Sequence, residues 1–307
     1  MTDSAESETR KTRAEGKSET VSSAFGDDEV QGQKTSGFKI GFAEDKNKKH
    51  RRTMEVWDVT GMDMTAMDHG AGWFAIYDGH AGRSAADYCG AHLHENFETL
   101  YQKAEPSSIP SLLNETFMMT DTQIAERKAS YSGCTAVVGY IQTEERPPAS
   151  SDGEANCGKR RVLYTANVGD ARAVLSRGGK AIRLSYDHKG SDPAEAKRIV
   201  ETGGFVMNNR VNGVLAVTRS LGDTSMKEWV IGSPYTTETV LGLEDSFLIF
   251  ACDGVWDVCS DQAAVDLIRD TSDPQQAAED LLDHALENFS TDNLSVMVVR
   301  LEQPYVP

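Results

Sequence analysis

The chain has 307 residues, 39% of them hydrophobic, which is enough to bury the core of one large domain or two ordinary ones. Its formal net charge of −17 excludes a general binder of nucleic acid or anionic membrane, because such partners require a basic face. No segment approaches the roughly 20 apolar residues of a membrane-spanning helix, and the basic-then-apolar pattern of a secretory signal is missing. We therefore expect a protein of the cytoplasm and nucleus.

Two polar stretches divide the chain. Residues 1–35 are rich in Ser, Thr, Glu, Lys and Gly, with Phe25 as their one aromatic residue, and are predicted to form a disordered tail. The tail is either a solvated spacer or a site of phosphorylation or docking. Residues 143–161 lie between two apolar runs and are predicted to form a long hairpin insertion within a catalytic domain spanning residues 36–307.

The first half of that domain alternates strand and helix patterns. A short run rich in aromatic residues, Trp73–Tyr77, predicts a buried strand. Helices are predicted at Ser84–Leu100 and Ile109–Arg127, and further strands at Ala136–Ile141 and Val162–Ala166.

The second half begins with a capped helix. Asp192 supplies an N-cap followed by a proline, and two glycines from Gly203 onward end the helix. After a strand at Phe247–Ala251, Asp273 repeats this start signal for a helix reaching about Leu286, and Leu294–Val299 is the last strand. The absence of regular βαβ alternation predicts an α+β architecture with mostly antiparallel sheets.

Aspartates stand where several of these strands end or begin. Asp78 follows FAIY, Asp170 follows YTANVG, Asp253 follows LIFAC, and Asp292 precedes LSVMVV. Any one of them alone is more typical of a turn or a helix cap. If Asp78, Asp253, Asp292 and a further acid such as Glu55 converge, their mutual repulsion favours neutralisation by two divalent cations.

The ligand type favours particular cations. Oxygen-only ligands select magnesium or manganese over zinc. Two such ions about 3.5 to 4 Å apart can lower the pKa of a water and orient it for in-line attack on phosphorus. The residues alone leave both alternatives open, a two-metal site or a set of turn-forming aspartates.

The cysteines indicate neither a zinc site nor a redox site. Their number is odd, and they are scattered without a C-x-x-C pair (Cys89, Cys134, Cys157, Cys252 and Cys259). We expect reduced, mostly buried thiols.

A series of blocks between about Gly37 and Leu301 resembles the motifs of the protein phosphatase 2C family, in the family's order. The blocks are Arg51–Glu55, Asp78–Gly82, Ser132–Ala136, Ala166–Arg172, Asp187–Lys189, Asn212–Asp223, Ala251–Asp257 and Thr291–Val296. The resemblance implies a four-layer α/β/β/α sandwich, in which two antiparallel sheets are flanked by helices. It also implies a metal-dependent protein serine/threonine phosphatase.

The resemblance assigns metal ligands by position. It implies that Asp78 bridges two ions, that Gly79 offers its carbonyl, that Glu55 holds one ion, and that Asp253 and Asp292 hold the other. Gly79 is also explained by a tight turn that a side chain would obstruct.

The same resemblance implies roles for other positions. Asp170 corresponds to a residue associated with a weaker third metal, with a hairpin-turn role as the alternative. His80 is expected to protonate the leaving alkoxide, unless it is only hydrogen-bonded nearby, and the planar fork of Arg51 is expected to bind phosphate. Arg219 is expected to order its loop, and residues 187–212 match a flap at which protein substrates are discriminated.

One position departs from the family pattern. Most members have an aspartate directly after the glutamate of the first block, where this chain has Val56. Asp58 would share the face of Val56 in an extended strand and is a candidate substitute.

Three functions are compatible with these residues. The first is a phosphatase of phosphoserine and phosphothreonine proteins, MAP kinases or their upstream kinases, because several blocks resemble those of fungal members that restrain stress-activated MAP kinase cascades. The second is a pseudophosphatase that only binds, which Val56 alone supports. The third is a two-metal hydrolase of small phosphoesters. Nothing indicates an obligate oligomer, so a monomer is expected.

Overall fold

The computed structural model describes residues 37–63, 71–103, 108–127, 131–146 and 158–302, with the backbone only for residues 57–63. These residues all belong to one compact unit, Thr35–Pro307. The predictions for the tail at residues 1–35, for Cys157 and for the centre of the insertion lie outside the described residues.

The described residues form thirteen strands and six α-helices. The strands are β1 (Phe38–Asp45), β2 (Val56–Asp63), β3 (Gly72–His80), β4 (Gly133–Arg146), β5 (Gly158–Val168), β6 (Arg172–Arg177), β7 (Lys180–Arg183), β8 (Val206–Met207), β9 (Arg210–Val211), β10 (Leu221–Gly222), β11 (Tyr235–Val240), β12 (Asp245–Ala251) and β13 (Leu294–Leu301). The helices are α1 (Ser84–Lys103), α2 (Ile109–Glu126), α3 (Pro193–Glu201), α4 (Asp253–Trp256), α5 (Asp261–Ile268) and α6 (Pro274–Glu287).

The strands form two large antiparallel sheets and one small hairpin. One sheet has the order β1-β13-β12-β6-β7, and the other has the order β11-β5-β4-β3-β2 with β10 paired to β4. Strands β8 and β9 form the hairpin. The predicted α+β class with antiparallel sheets is confirmed.

Side chains that alternate along the strands build three apolar layers. On β3, Phe74 and Ile76 pack between the sheets against residues such as Leu248 and Phe250 of β12. The intervening residues of β3, including Trp73 and Tyr77, pack instead toward α1 and α2. The outer side of the other sheet packs against α5 and α6. This order of layers is the four-layer sandwich that the family resemblance implied.

The predicted helix starts are confirmed by their caps. The side chain of Asp192 accepts hydrogen bonds from Ala194 N and Glu195 N, and the side chain of Asp273 accepts one from Gln275 N. None of the described helices is both long and apolar enough to cross a membrane.

The boundaries of the insertion differ from the sequence prediction. Strands β4 and β5 continue into it, with Thr143 opposite Arg161 and Arg146 opposite Gly158. The apolar pattern did not predict this part of the ladder, because its side chains are largely charged. These side chains bond to one another instead, and Tyr164 and Arg146 both donate to Glu144. The four described cysteines are free and buried, as expected.

Candidate active site

The two large sheets each contribute one aspartate to a common point. Asp78 lies near the end of β3, and Asp253 follows β12 as the first residue of α4. Their carboxylate oxygens and Sγ of Cys252 all lie within 4.8 Å of one another. The strands of both sheets therefore end at one acidic cluster.

Burial and neighbouring acids raise the pKa of the two aspartates of this cluster. Burial raises the pKa of Asp78 well above its ordinary value, and the charges of Asp253, Asp170 and Asp292 raise it further. Burial likewise raises the pKa of Asp253 to about 8, with contributions from Asp170 and Asp292 and an opposing one from Lys189. The fold thus disfavours the negative charge of Asp78 and Asp253.

Lys189 is a positively charged residue of the site for which the sequence predicted no role. Its Nζ lies 3.3 Å from Asp170 Oδ2 and 3.2 Å from Asp257 Oδ1. Burial raises the pKa of Asp170 although Lys189 lowers it. The Asp187–Lys189 block contained this lysine, but its spacing gave no sign of which acids it contacts.

Arg51 is paired with one of the predicted metal ligands. Its Nη2 donates to Oδ2 of Asp292, and its Nε donates to Thr291 O over 3.3 Å. The hydrogen bonds among the described residues leave its Nη1 for another acceptor. Arg51 and Asp292 are exposed by 48% and 34%, so the pair lies at the open side of the cluster.

The side chain of Asn293 fixes the segment that carries Arg51 and Glu55. Its Nδ2 donates to Lys46 O over 2.8 Å and to Thr53 O over 3.1 Å, and its Oδ1 accepts from Glu55 N over 3.0 Å. The Glu55 carboxylate accepts from Thr53 Oγ1 over 3.0 Å. Asn293 therefore joins the segment of Glu55 to the segment of Asp292.

Gly79 is required by a close approach of two backbones. Its N–H donates to Glu55 O over 3.0 Å, and a Cβ at this position would lie 2.5 Å from that oxygen. Any side chain would push the segment of Glu55 away from β3.

His80 has a carboxylate partner that sequence reasoning missed. Its Nε2 lies 2.7 Å from Oδ2 of Asp223, whose side chain is only 8% exposed. Asp223 belongs to the Asn212–Asp223 block, but 143 residues separate it from His80 and no local pattern connects the two.

Val56 occupies a core position. It is 4% exposed and packs between the sheets with Phe74 and Ile76. Asp58 pairs with Ile76 in the β2–β3 ladder, but its side chain lies outside the described residues, so its substitution for the usual aspartate stays a prediction.

The donor atoms fit magnesium or manganese. Carboxylate oxygens from two sheets, held together at a site that disfavours their charge, are the ligands that hard divalent cations prefer. Burial raises the pKa of Cys252 well above its ordinary value, so its thiol stays protonated. Its Sγ donates to Asn293 O and accepts from Ser295 N, both over 3.3 Å, which makes it a structural residue.

Comparison with known proteins decides the family. The model of the family described as protein phosphatase 2C matches residues 40–294. The chain belongs to the protein phosphatase 2C family. It is 48% identical to protein phosphatase 2C homolog 1 of Saccharomyces cerevisiae, over 86% of this chain and 94% of that one. It is 46% identical to protein phosphatase 2C homolog 1 of Schizosaccharomyces pombe, over 87% of this chain and 74% of that one.

Solved structures share the fold of this chain. A sex-determining protein of C. elegans superposes with a TM-score of 0.76 at 26% identity, covering 89% of this chain and 67% of that one. A phosphatase of Toxoplasma gondii superposes with a TM-score of 0.73 at 24% identity, covering 86% and 93% of the two chains. As a member of the protein phosphatase 2C family, the chain is a protein serine/threonine phosphatase, and the family is metal-dependent.

Helix α3 lies within residues 187–212, the flap predicted for this protein phosphatase 2C member, and a buried carboxylate of α3 bonds to residues outside it. Glu195 of α3 accepts from Arg219 Nη2 over 2.6 Å and from Thr218 Oγ1 over 2.8 Å. Although burial opposes it, the contacts with Arg219 lower the pKa of Glu195 to about 2. Arg219 also donates to Ser233 O over 2.9 Å, which agrees with the expectation that it orders its surrounding loops.

Proposed function

We propose that this enzyme hydrolyses phosphoserine and phosphothreonine in proteins with two divalent cations, Mg²⁺ or Mn²⁺, and a weaker third. The observation that carries the proposal is the meeting of Asp78 and Asp253 from two different sheets, within 4.8 Å of each other. A raised pKa in both acids is typical of carboxylates that bind a cation together.

The proposed ligands are those that the family resemblance implies. Asp78, Glu55 and the Gly79 carbonyl would hold one cation, Asp78, Asp253 and Asp292 the other, and Asp170 the third. When bound, the cations draw electron density from the phosphate oxygens and from the attacking water. Asp292 would then exchange part of its contact with Arg51 for a cation.

Two further residues act on the substrate in this proposal. Arg51 binds phosphate oxygens through its planar guanidinium, which stands at the open side of the cluster. His80 gives a proton to the serine or threonine oxygen as the bond from that oxygen to phosphorus breaks. Neither role requires a covalent phosphoenzyme.

The substrates proposed are phosphorylated proteins of stress-activated MAP kinase cascades, either the MAP kinases or their upstream kinases. The enzyme would act there as a negative regulator, as a monomer, in cytoplasm and nucleus. The likeness of its motifs to fungal members that restrain such cascades supports this choice. Comparing turnover of a phosphopeptide with that of small phosphoesters distinguishes it from a general phosphoesterase.

The experiment is phosphate release from a phosphothreonine peptide with Mg²⁺ or Mn²⁺, and with EDTA. Asp253→Ala should lower the metal-dependent activity by about 100-fold or more, because one proposed ligand of the cations is lost. Asp283→Ala, on the exposed face of α6, is the matched control and should leave the rate unchanged.

A binding module without turnover is the second candidate, and Val56 favours it. An apolar residue buried between the sheets replaces the usual acid at that position. A wild-type protein that binds the phosphopeptide but releases no phosphate with either metal would establish this second function and refute the first.

A further inference from the structure

The contact between His80 and Asp223 is built by three neighbouring strands. In the sheet, His80 of β3 pairs with Gly133 of β4, and Gly133 in turn pairs with Gly222 of β10. Asp223 follows β10 directly, and its N–H donates to Ser132 O over 3.1 Å. Histidine and aspartate thus approach each other from strands on either side of β4.

Gly133 lies directly beneath the pair. A Cβ at this position would lie 2.0 Å from Asp223 Oδ2 and 2.1 Å from His80 Nε2. The φ of Gly133 is not among the positive values of the chain, so the backbone conformation does not explain the glycine. The space that His80 and Asp223 occupy explains it.

Asp223 is itself held in a defined position. Ser220 Oγ donates to Asp223 Oδ2 over 2.5 Å, and the backbone of Asp223 has a left-handed φ of 45°. Among the hydrogen bonds of the described residues, none involves Nδ1 of His80. The contact at Nε2 therefore leaves Nδ1 as the ring atom for a substrate.

We infer that Asp223 is a positioning residue for His80, holding Nε2–H toward itself and Nδ1 toward the leaving oxygen of the substrate. The inference rests on the proposed function, in which His80 is the proton donor. As the bond between phosphorus and the serine or threonine oxygen breaks, the proton on Nδ1 passes to that oxygen. Water supplies the new oxygen of phosphate, and the proton it releases returns to the ring through solvent.

This role makes the need for Asp223 depend on the leaving group. A serine or threonine alkoxide is a poor leaving group and needs the proton during bond cleavage. The p-nitrophenolate anion is stable and leaves without a proton. A residue that only supports the fold would affect both substrates alike.

The test compares turnover of a phosphothreonine peptide with that of p-nitrophenyl phosphate, with Mn²⁺ present. Asp223→Asn keeps the shape of the side chain and tolerates a left-handed backbone, but removes the charge that faces the ring. Gly133→Ala displaces the pair without altering either partner. Matched controls are Asp283→Asn, which is exposed, and Gly242→Ala, whose Cβ would meet nothing within 4 Å.

We expect kcat of both variants to fall between about 10- and 100-fold more on the peptide than on p-nitrophenyl phosphate, with the controls unchanged on both. The ¹⁵N signals of the His80 ring, recorded in EDTA, should shift in Asp223→Asn and not in Asp283→Asn. Equal losses on the two substrates, or no loss in Asp223→Asn, would overturn the inference. Wild-type protein inactive on both substrates would instead refute the proposed function on which it rests.

Discussion

Asp253 shows how the fold alters a single side chain. Its pKa of about 8 keeps this acid largely protonated at neutral pH, whereas an aspartate in an unfolded chain titrates near 3.9. A cation that binds here must displace the proton, so metal affinity is expected to rise with pH up to about 8. The sequence could indicate that Asp253 stands at a strand end, but its electrostatic environment depends on Asp170 and Asp292, which are distant along the chain.

The first prediction concerns stability against pH. Because the native pKa of Asp253 is raised, the native state holds more protons than the unfolded state between about pH 4 and pH 8, and the metal-free protein should lose stability across that range. Mg²⁺ should therefore raise the melting temperature more at about pH 8 than at about pH 5. Thermal unfolding with Mg²⁺ and with EDTA measures this. Asp253→Asn should flatten the dependence, and an equal Mg²⁺ effect at both pH values would contradict the prediction.

At the same scale, the sequence indicated candidate ligands better than it indicated their hydrogen-bond partners. Asp78, Asp170 and Asp253 follow apolar runs and Asp292 precedes one, so a local pattern marks each of them. Lys189, Asp223 and Asn293 are not marked in this way, because their contacts join residues far apart in the chain, 143 residues in the case of His80 and Asp223. Long-range hydrogen bonds of this kind leave no periodic pattern.

Among the elements, α3 is attached by polar contacts to residues that follow the predicted flap in the chain. Arg198 of α3 donates to Trp229 O over 2.7 Å, and Glu195 receives Arg219. A small apolar cluster lies beside these contacts, in which Val206, Leu215, Met226 and Trp229 pack against the buried residues Ile199, Val211 and Val230. Charged and apolar contacts together therefore hold the helix in position.

The second prediction tests that attachment. Arg219→Ala leaves the buried Glu195 carboxylate without its main partner and should destabilise the flap by about 3 kcal/mol. Lys197→Ala, on the same helix, removes an exposed pair whose side chains are 76% and 64% exposed, and should cost less than about 0.5 kcal/mol. Hydrogen exchange of the α3 amides reports both changes. Equal exchange rates in the two variants would show that Arg219 does not fasten the helix.

Predictability also varied from element to element. Helices α3 and α6 were predicted because Asp-Pro pairs mark their first turns. Strands β7 and β11 were missed because they are short and half-exposed, with burial alternating weakly along them. Strand β7 forms by pairing with β6, and β11 forms by pairing with β5, more than through the β-propensity of their own residues.

On the scale of the whole molecule, the sandwich depends on aromatic contacts between its sheets. Phe250 of β12 stacks on Phe74 of β3 with ring centroids 6.3 Å apart. Both rings are fully buried. Motif order implied the layers, but the residues that pack between them became identifiable only once the strand register was known, because register decides which face each side chain occupies.

The third prediction follows from this contact. Phe250→Ala should lower the free energy of unfolding by about 3 to 5 kcal/mol, because it leaves a cavity between the sheets. It should also weaken Mg²⁺ binding, since Asp253 lies three residues beyond. Phe289→Ala is the matched control at a side chain that is 87% exposed, and should change stability by less than about 0.5 kcal/mol. Urea denaturation and Mg²⁺ titration of both variants provide the comparison, and similar midpoints would disprove the role of Phe250.

The amide of Asn293 has a consequence for protein engineering. It contacts Lys46 O at one end of residues 46–53 and Thr53 O at the other, so a single side chain closes this segment into a loop. Residues 48–50 lie inside that closure and are all exposed. We expect substitutions at these three positions to leave both anchor points in place. Residues 48–50 are therefore a suitable position for inserting new recognition sequences beside the catalytic cluster.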